Sequence, residues 1–521
     1  MVAESGKLSK SGLGIGGNGC FGAAISKPLM AEIGRLLPVS TLLPVCLMKD
    51  SNFVSDRIVG YRTYRNALAP GVISSIGRGD RIAAVRSIVL LIGVLTLPFS
   101  GAGKSDGNSP ENPSETSTTT LQRQRALPAW TEGTLYIHHI STGRGNASYF
   151  VMPDGTTMLI DAGEADPSFI ASVAPLKAFP GRPDAAHSAG YWIADYIRHF
   201  APTGRPLGLD YALLTHFHTD HIGTITASSP ASKVGPYRLA GITEVADLIP
   251  IGVLIDRSGP PYVIPVDLRD CKEGGDAMSL ANYLSFANHR LRSGQAVVGL
   301  RAGLLDQIRL RQPDRYPEFH IRNVAASGVI WTGRGDETEQ YIPLNAVKDC
   351  HFDENPFSNV IRLSYGKFSY YSGGDIPGIP DYTQPYWRDI ETPVAAAVGP
   401  VDVMTLDHHG NRDSTNGAIL RGLRPRVIIQ QNWLSAQPGE EVVVRMASHE
   451  FYPGLRDVFS TGMSPETRIA IGPIMDRIYK SYEGHVVVRV APGGMTYEVF
   501  VLDDKDIQRK VIAYFGPYRA D

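Results

Sequence analysis

At 521 residues the chain is long enough for a large buried core, and its 43% apolar content is that of a soluble globular protein. A formal net charge of −2 gives no general attraction to nucleic acid, although it leaves room for a local basic groove. No apolar run approaches the roughly 18 residues of a convincing membrane helix, which argues against a stable membrane span in the mature chain.

Residues 1–84 are rich in Gly and Ser with scattered apolar residues and no sustained period, so they read as a disordered leader or a start placed too early. Residues 85–103 resemble an export signal: Arg81 and Arg86 precede the apolar run Ser87 to Leu97, and small residues from Ser100 to Gly103 offer a cleavage site. A buried core helix or strand is the alternative. With the signal reading, Val85 is an alternative start, the mature chain begins near Gly103, and the protein is periplasmic or secreted. Residues 104–130 form a Ser/Thr/Pro-rich linker with too little apolar surface to offset its ordering entropy.

The folded part spans residues 131–515. Leu135 to Ile140, Ala147 to Met152 and Thr157 to Ile160 read as short strands between Gly-rich turns. His138 and His139 fall on opposite faces of the first strand and are expected to be structural. Trp192, Ile193, Tyr196, Ile197 and Phe200 recur at helical spacing over 190–200. The strand Tyr211 to Leu214 then runs into Thr215-His216-Phe217-His218-Thr219-Asp220-His221, three histidines and one aspartate in six residues at a strand end. Imidazole and carboxylate suit zinc and similar ions. Alternate residues of an extended segment share a face, so His216 and His218 are expected on one ion, with Asp220 and His221, past the start of the turn, on a second.

Between His221 and Asn355 lies a long stretch, about 224–350, read as an insertion that roofs the site and selects the substrate. It contains expected helices over 242–249 and 277–291, a strand over 253–256, and a hairpin of strands over 319–324 and 329–332. Asp256 and Arg257 are candidates for the pocket rim, with a capped turn as the simpler reading. Cys271 and Cys350 are a candidate disulfide pair, while Cys20 and Cys46 fall in the leader. Strands over 360–363 and 368–371 lead to Asp375. A helix over 392–398 and a strand over 401–406 lead to Asp407-His408-His409-Gly410, and a polar loop follows with Asn411, Arg412, Ser414 and Thr415 able to meet an anionic oxygen or to cap a helix. A helix over 417–423, a strand over 426–429 and a hairpin of 486–490 with 497–502 complete the expected elements. Layered helices and strands with ligands at strand ends fit an α/β, four-layer αββα sandwich.

The sequence Thr215 to His221 resembles the HxHxDH loop of the metallo-β-lactamase superfamily, and further pieces of that pattern occur in order over about residues 133–500. Thr157 to Gly163 resembles the first motif, which implies that Asp161 orients the metal loop without binding metal. Tyr370 to Asp375 resembles the strand whose aspartate bridges two ions. Asp407 to Gly410 resembles the last motif, which implies His408 as a ligand of the second ion and leaves His409 to contact substrate. The third histidine usual for the first ion is replaced by Asn355-Pro356-Phe357-Ser358, as in the ComEC/Rec2-like hydrolase branch, so either Asn355 or His351 fills that place. Ser141 to Asn146 followed by Pro153-Asp154-Gly155 resembles the glycine-rich first hairpin of the same branch.

The resemblance implies a metal-dependent hydrolase whose two divalent ions, zinc or else manganese, share a bridging hydroxide, with Asp220 also able to take a proton. The substrate class it favours is a phosphodiester, either small or of nucleic acid, or a related ester. The alternatives are a metal-binding protein of the same fold with weakened turnover, a β-lactam or lactone hydrolase, and a single-iron dioxygenase. Substrate and oligomeric state are not readable from the residues.

Overall fold

The computed structural model describes residues 126–521 apart from residues 275 and 380–382, so the leader, the signal-like segment and most of the linker lie outside the described residues. The described residues form two nine-stranded sheets with helices on their outer faces. The first holds β1 (Leu135–His139), β2 (Ser148–Val151), β3 (Thr157–Ile160), β4 (Leu209–Leu213), β5 (Ile251–Asp256) and β6 (Ala296–Gly299). The second holds β7 (Phe319–Ala326), β8 (Val329–Trp331), β9 (Thr338–Gln340), β10 (Val360–Tyr365), β11 (Phe368–Ser372), β12 (Val403–Thr405), β13 (Val427–Gln430), β14 (Asp457–Ser460) and β15 (Tyr479–Ser481). The chain then returns to the first sheet through β16 (His485–Val490), β17 (Thr496–Leu502) and β18 (Val511–Arg519), and β16 pairs antiparallel with β1.

Each sheet changes character part-way across. In the first, β1, β2 and β3 are antiparallel neighbours, whereas β3, β4, β5 and β6 run parallel. In the second, β10 and β11 are antiparallel, whereas β11 through β15 run parallel. The motif-bearing turns follow the strands at these two changes, β3 and β4 in one sheet and β11 and β12 in the other. The candidate ligands therefore stand at the carboxyl ends of strands where each sheet turns from antiparallel to parallel.

Three apolar layers separate four structural ones. Ile137, Phe150 and Met158 of the first sheet meet Ile361, Tyr370, Val427 and Phe459 of the second, forming the core between sheets. The outer face of the first sheet packs on helices α2 (Ala189–Phe200), α4 (Gly241–Leu248) and α5 (Ala277–Arg292) through Ile193, Ile197, Ile242 and Phe286. The outer face of the second packs on α6 (Glu391–Val398), α7 (Gly417–Leu423), α8 (Glu440–Ala447) and α9 (Pro465–Met475) through Val394, Leu420, Val443 and Met475. The chain is therefore the expected αββα sandwich. The remaining helices, α1 (Pro167–Ser172) and α3 (Thr219–Ile222), are short.

Local chemistry explains the helix positions. The hydroxyl of Ser188 accepts from Tyr191 N at the start of α2, whose Ile193, Tyr196 and Ile197 form the buried stripe that the spacing predicts. Asn416 caps α7 by accepting from Ala418 N and Ile419 N. The stretch over 224–350 contributes to both sheets: β5 and β6 extend the first, and β7, β8 and β9 extend the second. Cys271 and Cys350 form a disulfide with a Cα separation of 5.3 Å. Asp256 caps the turn after β5 through Ser258 N and Gly259 N, and Arg257 is buried against Glu354 with phenyl rings of Phe217 and Phe357 beside its guanidinium, so neither lies on a rim. Among the described residues, no helix is long and apolar enough to cross a membrane.

Candidate metal centre

The ligand loop starts where β4 stops. His216 and Asp161 are buried, and the Asp161 carboxylate accepts from Thr215 N and Thr215 Oγ1, both at 2.8 Å, and from His221 Nδ1 at 2.8 Å. Those bonds tie the end of β3 to the end of β4 and fix one imidazole. Asp161 has a left-handed backbone (φ 59°), a conformation that aspartate tolerates better than most residues. Gly163 is required next door, because a Cβ there would strike the backbone oxygen of Asp220. His218 then stands at the start of the one-turn helix α3, which carries Asp220 and His221.

Asp375 is the hub. His221 Nε2 lies 3.2 Å from its Oδ1, and His409 Nε2 lies 3.4 Å from its Oδ2. His216 Nε2 and His408 Nε2 each stand 3.9 Å from that same Oδ2. In all four rings the other nitrogen is held by an acceptor: Thr215 Oγ1 for His216, Asp161 for His221, Asp413 Oδ1 at 2.7 Å for His408, and the Gln431 carbonyl at 2.8 Å for His409. Fixing Nδ1–H leaves Nε2 as the ligating atom, which is how metal-binding histidines are oriented. His218 differs in offering Nδ1, 3.0 Å from His216 Nε2.

Asp220, His221, Asp375 and His409 bring one ligand atom each within 4.8 Å of one another, and they are the group of this kind among the described residues. His221 Nε2 and Asp375 Oδ1 face each other and are buried without a hydrogen-bond partner, as is Asn355 Oδ1. Buried polar atoms without partners are costly, and a divalent cation between them would satisfy both. The donor set of imidazole and carboxylate suits zinc, manganese or iron. The residues present therefore fit a metal centre.

The electrostatics agree. Burial alone would raise Asp375, yet the imidazoles of His221 and His409 hold it well below the usual carboxylate range. Asp220 is lowered in the same way, against burial, by His221 and His409. Burial would lower the histidines, but Asp375 and Asp161 hold His221 well above its ordinary value, Asp413 and Asp375 raise His408 to about 10, and Asp375 and Asp220 raise His409 to about 9. His216 is lowered instead, by burial first and then by His221. A cation bound among these rings must displace protons, so uptake of metal releases them.

Of the last two histidines, the structure gathers His409 with Asp220, His221 and Asp375, in the place expected of His408. His408 Nε2 lies 3.9 Å from Asp375 Oδ2 and 3.2 Å from Asn355 Nδ2. The reason is backbone: His408 (φ 45°, ψ 42°) and His409 (φ 56°, ψ 13°) are both left-handed, so the tight turn Asp407–Gly410 sends adjacent side chains apart. That turn is anchored by Asp407, which accepts from Tyr371 OH and is held well above the usual carboxylate range by burial and by the neighbouring Glu391. Asn355 is buried near the centre, but His351 is 64% exposed and pairs only with Asp349, so His351 does not supply the missing ligand. Ser414 and Thr415 are fully buried and serve the turn, the first through bonds to the carbonyls of Asp407 and Asn411, the second through its N–H to Glu391. Arg412 pairs with exposed Glu441. Ser414 and Thr415 are thus turned inward, and Arg412 is the member of the loop at the surface. Asp413, between them, carries the contact that matters and is missed because a lone aspartate in a polar loop has no distinguishing pattern.

No family model matches the sequence, and no curated protein matches it. Similar solved structures include CmlA, a diiron β-hydroxylase from Streptomyces venezuelae, at 14% identity and a TM-score of 0.31, over 70% of this chain and 55% of that one. This chain thus spans about half the length of CmlA. They also include the metallo-β-lactamase fold protein YhfI from Bacillus subtilis, at 10% identity and a TM-score of 0.28, over 68% of this chain and 98% of that one. Zinc-bound PqqB from Methylobacterium extorquens is similar at 12% identity and a TM-score of 0.28, over 68% and 99%. At these scores the likeness carries no weight about chemistry, which rests on this chain's own residues.

Proposed function

We propose that this protein is a metal-dependent hydrolase of the metallo-β-lactamase superfamily that uses two divalent ions, zinc or manganese, on a phosphodiester or related ester. The observation that supports it most is the convergence of four Nε2 atoms on Asp375, each ring locked through its other nitrogen. In this reading His216 and His218 hold one ion, Asp220, His221 and His409 hold the other, and Asp375 lies between. Two ions so held supply an activated water and polarise the bond under attack.

The chain's own residues do the rest. Asp161 and Gln431 keep His221 and His409 in the ligating tautomer. Asp220, with 14% side-chain exposure against 1% for Asp375, is the more open carboxylate and suits a proton passing to or from substrate. Arg388 pairs with Asp353, whose carboxylate also accepts from Asn355 N at 3.0 Å, so a guanidinium suited to an anionic oxygen is tied to the segment that carries Asn355. This guanidinium and the likeness of the Asn355 motif to the ComEC/Rec2-like branch support the phosphodiester. Export is part of the proposal: the signal-like segment motivates it, and the disulfide fits an oxidising compartment.

The test is turnover of bis(p-nitrophenyl) phosphate by the full chain with added zinc or manganese, beside His409→Asn, which keeps a residue tolerant of left-handed backbone. We expect turnover in the wild type and a loss of about a hundredfold or more in the variant. An unchanged rate in the variant, or no hydrolysis of this or of simple p-nitrophenyl esters, contradicts the proposal.

A further inference from the structure

The first ion of the proposed pair has only two histidines in the loop that supplies it, and the place where a third is usual holds Asn355. The structure assigns that third imidazole to His408, so that the two adjacent histidines of one turn serve different ions: His408 joins His216 and His218, and His409 joins Asp220 and His221. This rests on the two-ion reading and adds to it the completion of the first site by a residue from the opposite end of the cluster.

Distances come first. Atoms bound to one ion at about 2.1 Å stand about 3.4 Å apart when tetrahedral and cannot exceed about 4.2 Å. His216 Nε2 lies 3.0 Å from His218 Nδ1 and 3.9 Å from Asp375 Oδ2, and His408 Nε2 is also 3.9 Å from Asp375 Oδ2. All three spacings are within the span of one ion. His409 Nε2 lies 3.4 Å from that same Oδ2, and it is the Asp220 carboxylate, at 3.1 Å, that places it with the other ion.

Orientation is the second observation. His408 Nδ1 is held by the Asp413 carboxylate at 2.7 Å, which presents Nε2 toward Asp375. A carboxylate behind Nδ1 is the usual arrangement for a ligating imidazole, because it fixes the tautomer that leaves Nε2 free for the ion. Asn355 is the third. A side chain shorter than histidine leaves room for the ring of His408, and its amide lies against that ring at 3.2 Å, with Oδ1 buried and unpartnered beside the same place. The left-handed backbone at both 408 and 409 is what lets neighbours in sequence point to two ions.

The test counts metal in the purified full chain after loading with zinc and dialysis, by elemental analysis, with zinc titration calorimetry for affinity. Wild type is expected to hold two ions. His408→Asn and His409→Asn should each hold one, because asparagine tolerates the left-handed turn while removing the imidazole. The pairing shows which ion is lost: His408→Asn combined with His216→Ala should still hold one, and combined with His409→Asn should hold none. Asp413→Ala, which leaves every histidine in place, should weaken one ion about 10–100-fold and leave the other unchanged. Circular dichroism and unfolding in chelator establish that the variants fold alike. His408→Asn holding two ions at wild-type affinity overturns the assignment, as does a His408→Asn/His409→Asn protein that keeps one. A wild type that holds fewer than two ions overturns the two-ion reading itself, which the variants alone cannot do.

Discussion

Asp161 touches no candidate ion in this account, yet its substitution should be felt at the metal. Its Oδ2 accepts from both Thr215 Oγ1 and His221 Nδ1, so an amide nitrogen in that place would face two donors. The threonine can rotate, but His221 can relieve the clash only by moving its proton to Nε2, the atom that should ligate. Asp161→Asn, which suits the left-handed backbone, is therefore expected to lower zinc affinity about 10–100-fold with little change in fold. Titration calorimetry checks this, and an unchanged affinity contradicts the orienting role. A second residue-scale prediction concerns His138 and His139, which are buried on opposite faces of β1 and outside the centre. Burial lowers His138 to about 3 and His139 to about 4. The folded values lie below the ordinary 6.5, so the unfolded chain binds protons more readily and stability falls as pH drops from about 6.5 toward those values. At about 1.4 kcal/mol per unit, His139 alone contributes a loss of roughly 3 kcal/mol by pH 4. His138→Phe, in a pocket already lined by Tyr149, Tyr196 and Phe200, should flatten this acid dependence of Tm, and a parallel shift at all pH values would contradict it.

At the scale of elements, what is legible in the sequence depends on whether the deciding contact is local. The strands around the ligand loops and the helices α2, α4, α5 and α7 follow from apolar spacing within one segment. The turn Thr215 to His221 is legible because several ligand types crowd six positions after an apolar strand. By contrast, β18 contains Gly516-Pro517, which argues against a strand, and it forms because an edge position needs fewer ladder bonds. Helix α9 has Pro473 inside it, and all three residues of β9 are exposed, so neither carries a clean period. The division of labour between His408 and His409 turns on two successive left-handed residues, and the anchoring of Asp407 turns on Tyr371 and Glu391 from other elements. No window of sequence contains those contacts. Gly374 makes the same point in reverse: with φ at 59° and Thr215 Cβ 2.8 Å from where its own Cβ would stand, it lets the end of β11 approach the end of β4. Gly374→Ala is expected to weaken metal binding through that displacement, and wild-type zinc affinity in a folded variant would show the approach to be dispensable.

For the molecule as a whole, the centre depends on two sheets holding their ends together, since β3 and β4 deliver one set of ligands and β11 and β12 the other. The core between the sheets supplies most of that adhesion, with each buried Phe or Ile contributing about 1.5–3 kcal/mol. The Cys271–Cys350 bridge closes a loop of 79 residues and ends five residues before Asn355. Replacing both cysteines by serine should lower stability by about 2–4 kcal/mol, read from denaturant unfolding, and an unchanged midpoint would show the bridge to be idle. If the chain is exported as proposed, amino-terminal sequencing of the mature protein should begin near Gly103. The measurement that reaches the central claim most directly is anomalous diffraction from crystals of the zinc- or manganese-loaded protein. The account predicts two peaks about 3.5–4 Å apart, one among His216, His218, His408 and Asp375, the other among Asp220, His221, His409 and Asp375. A single peak, or none within reach of Asp375, would contradict it.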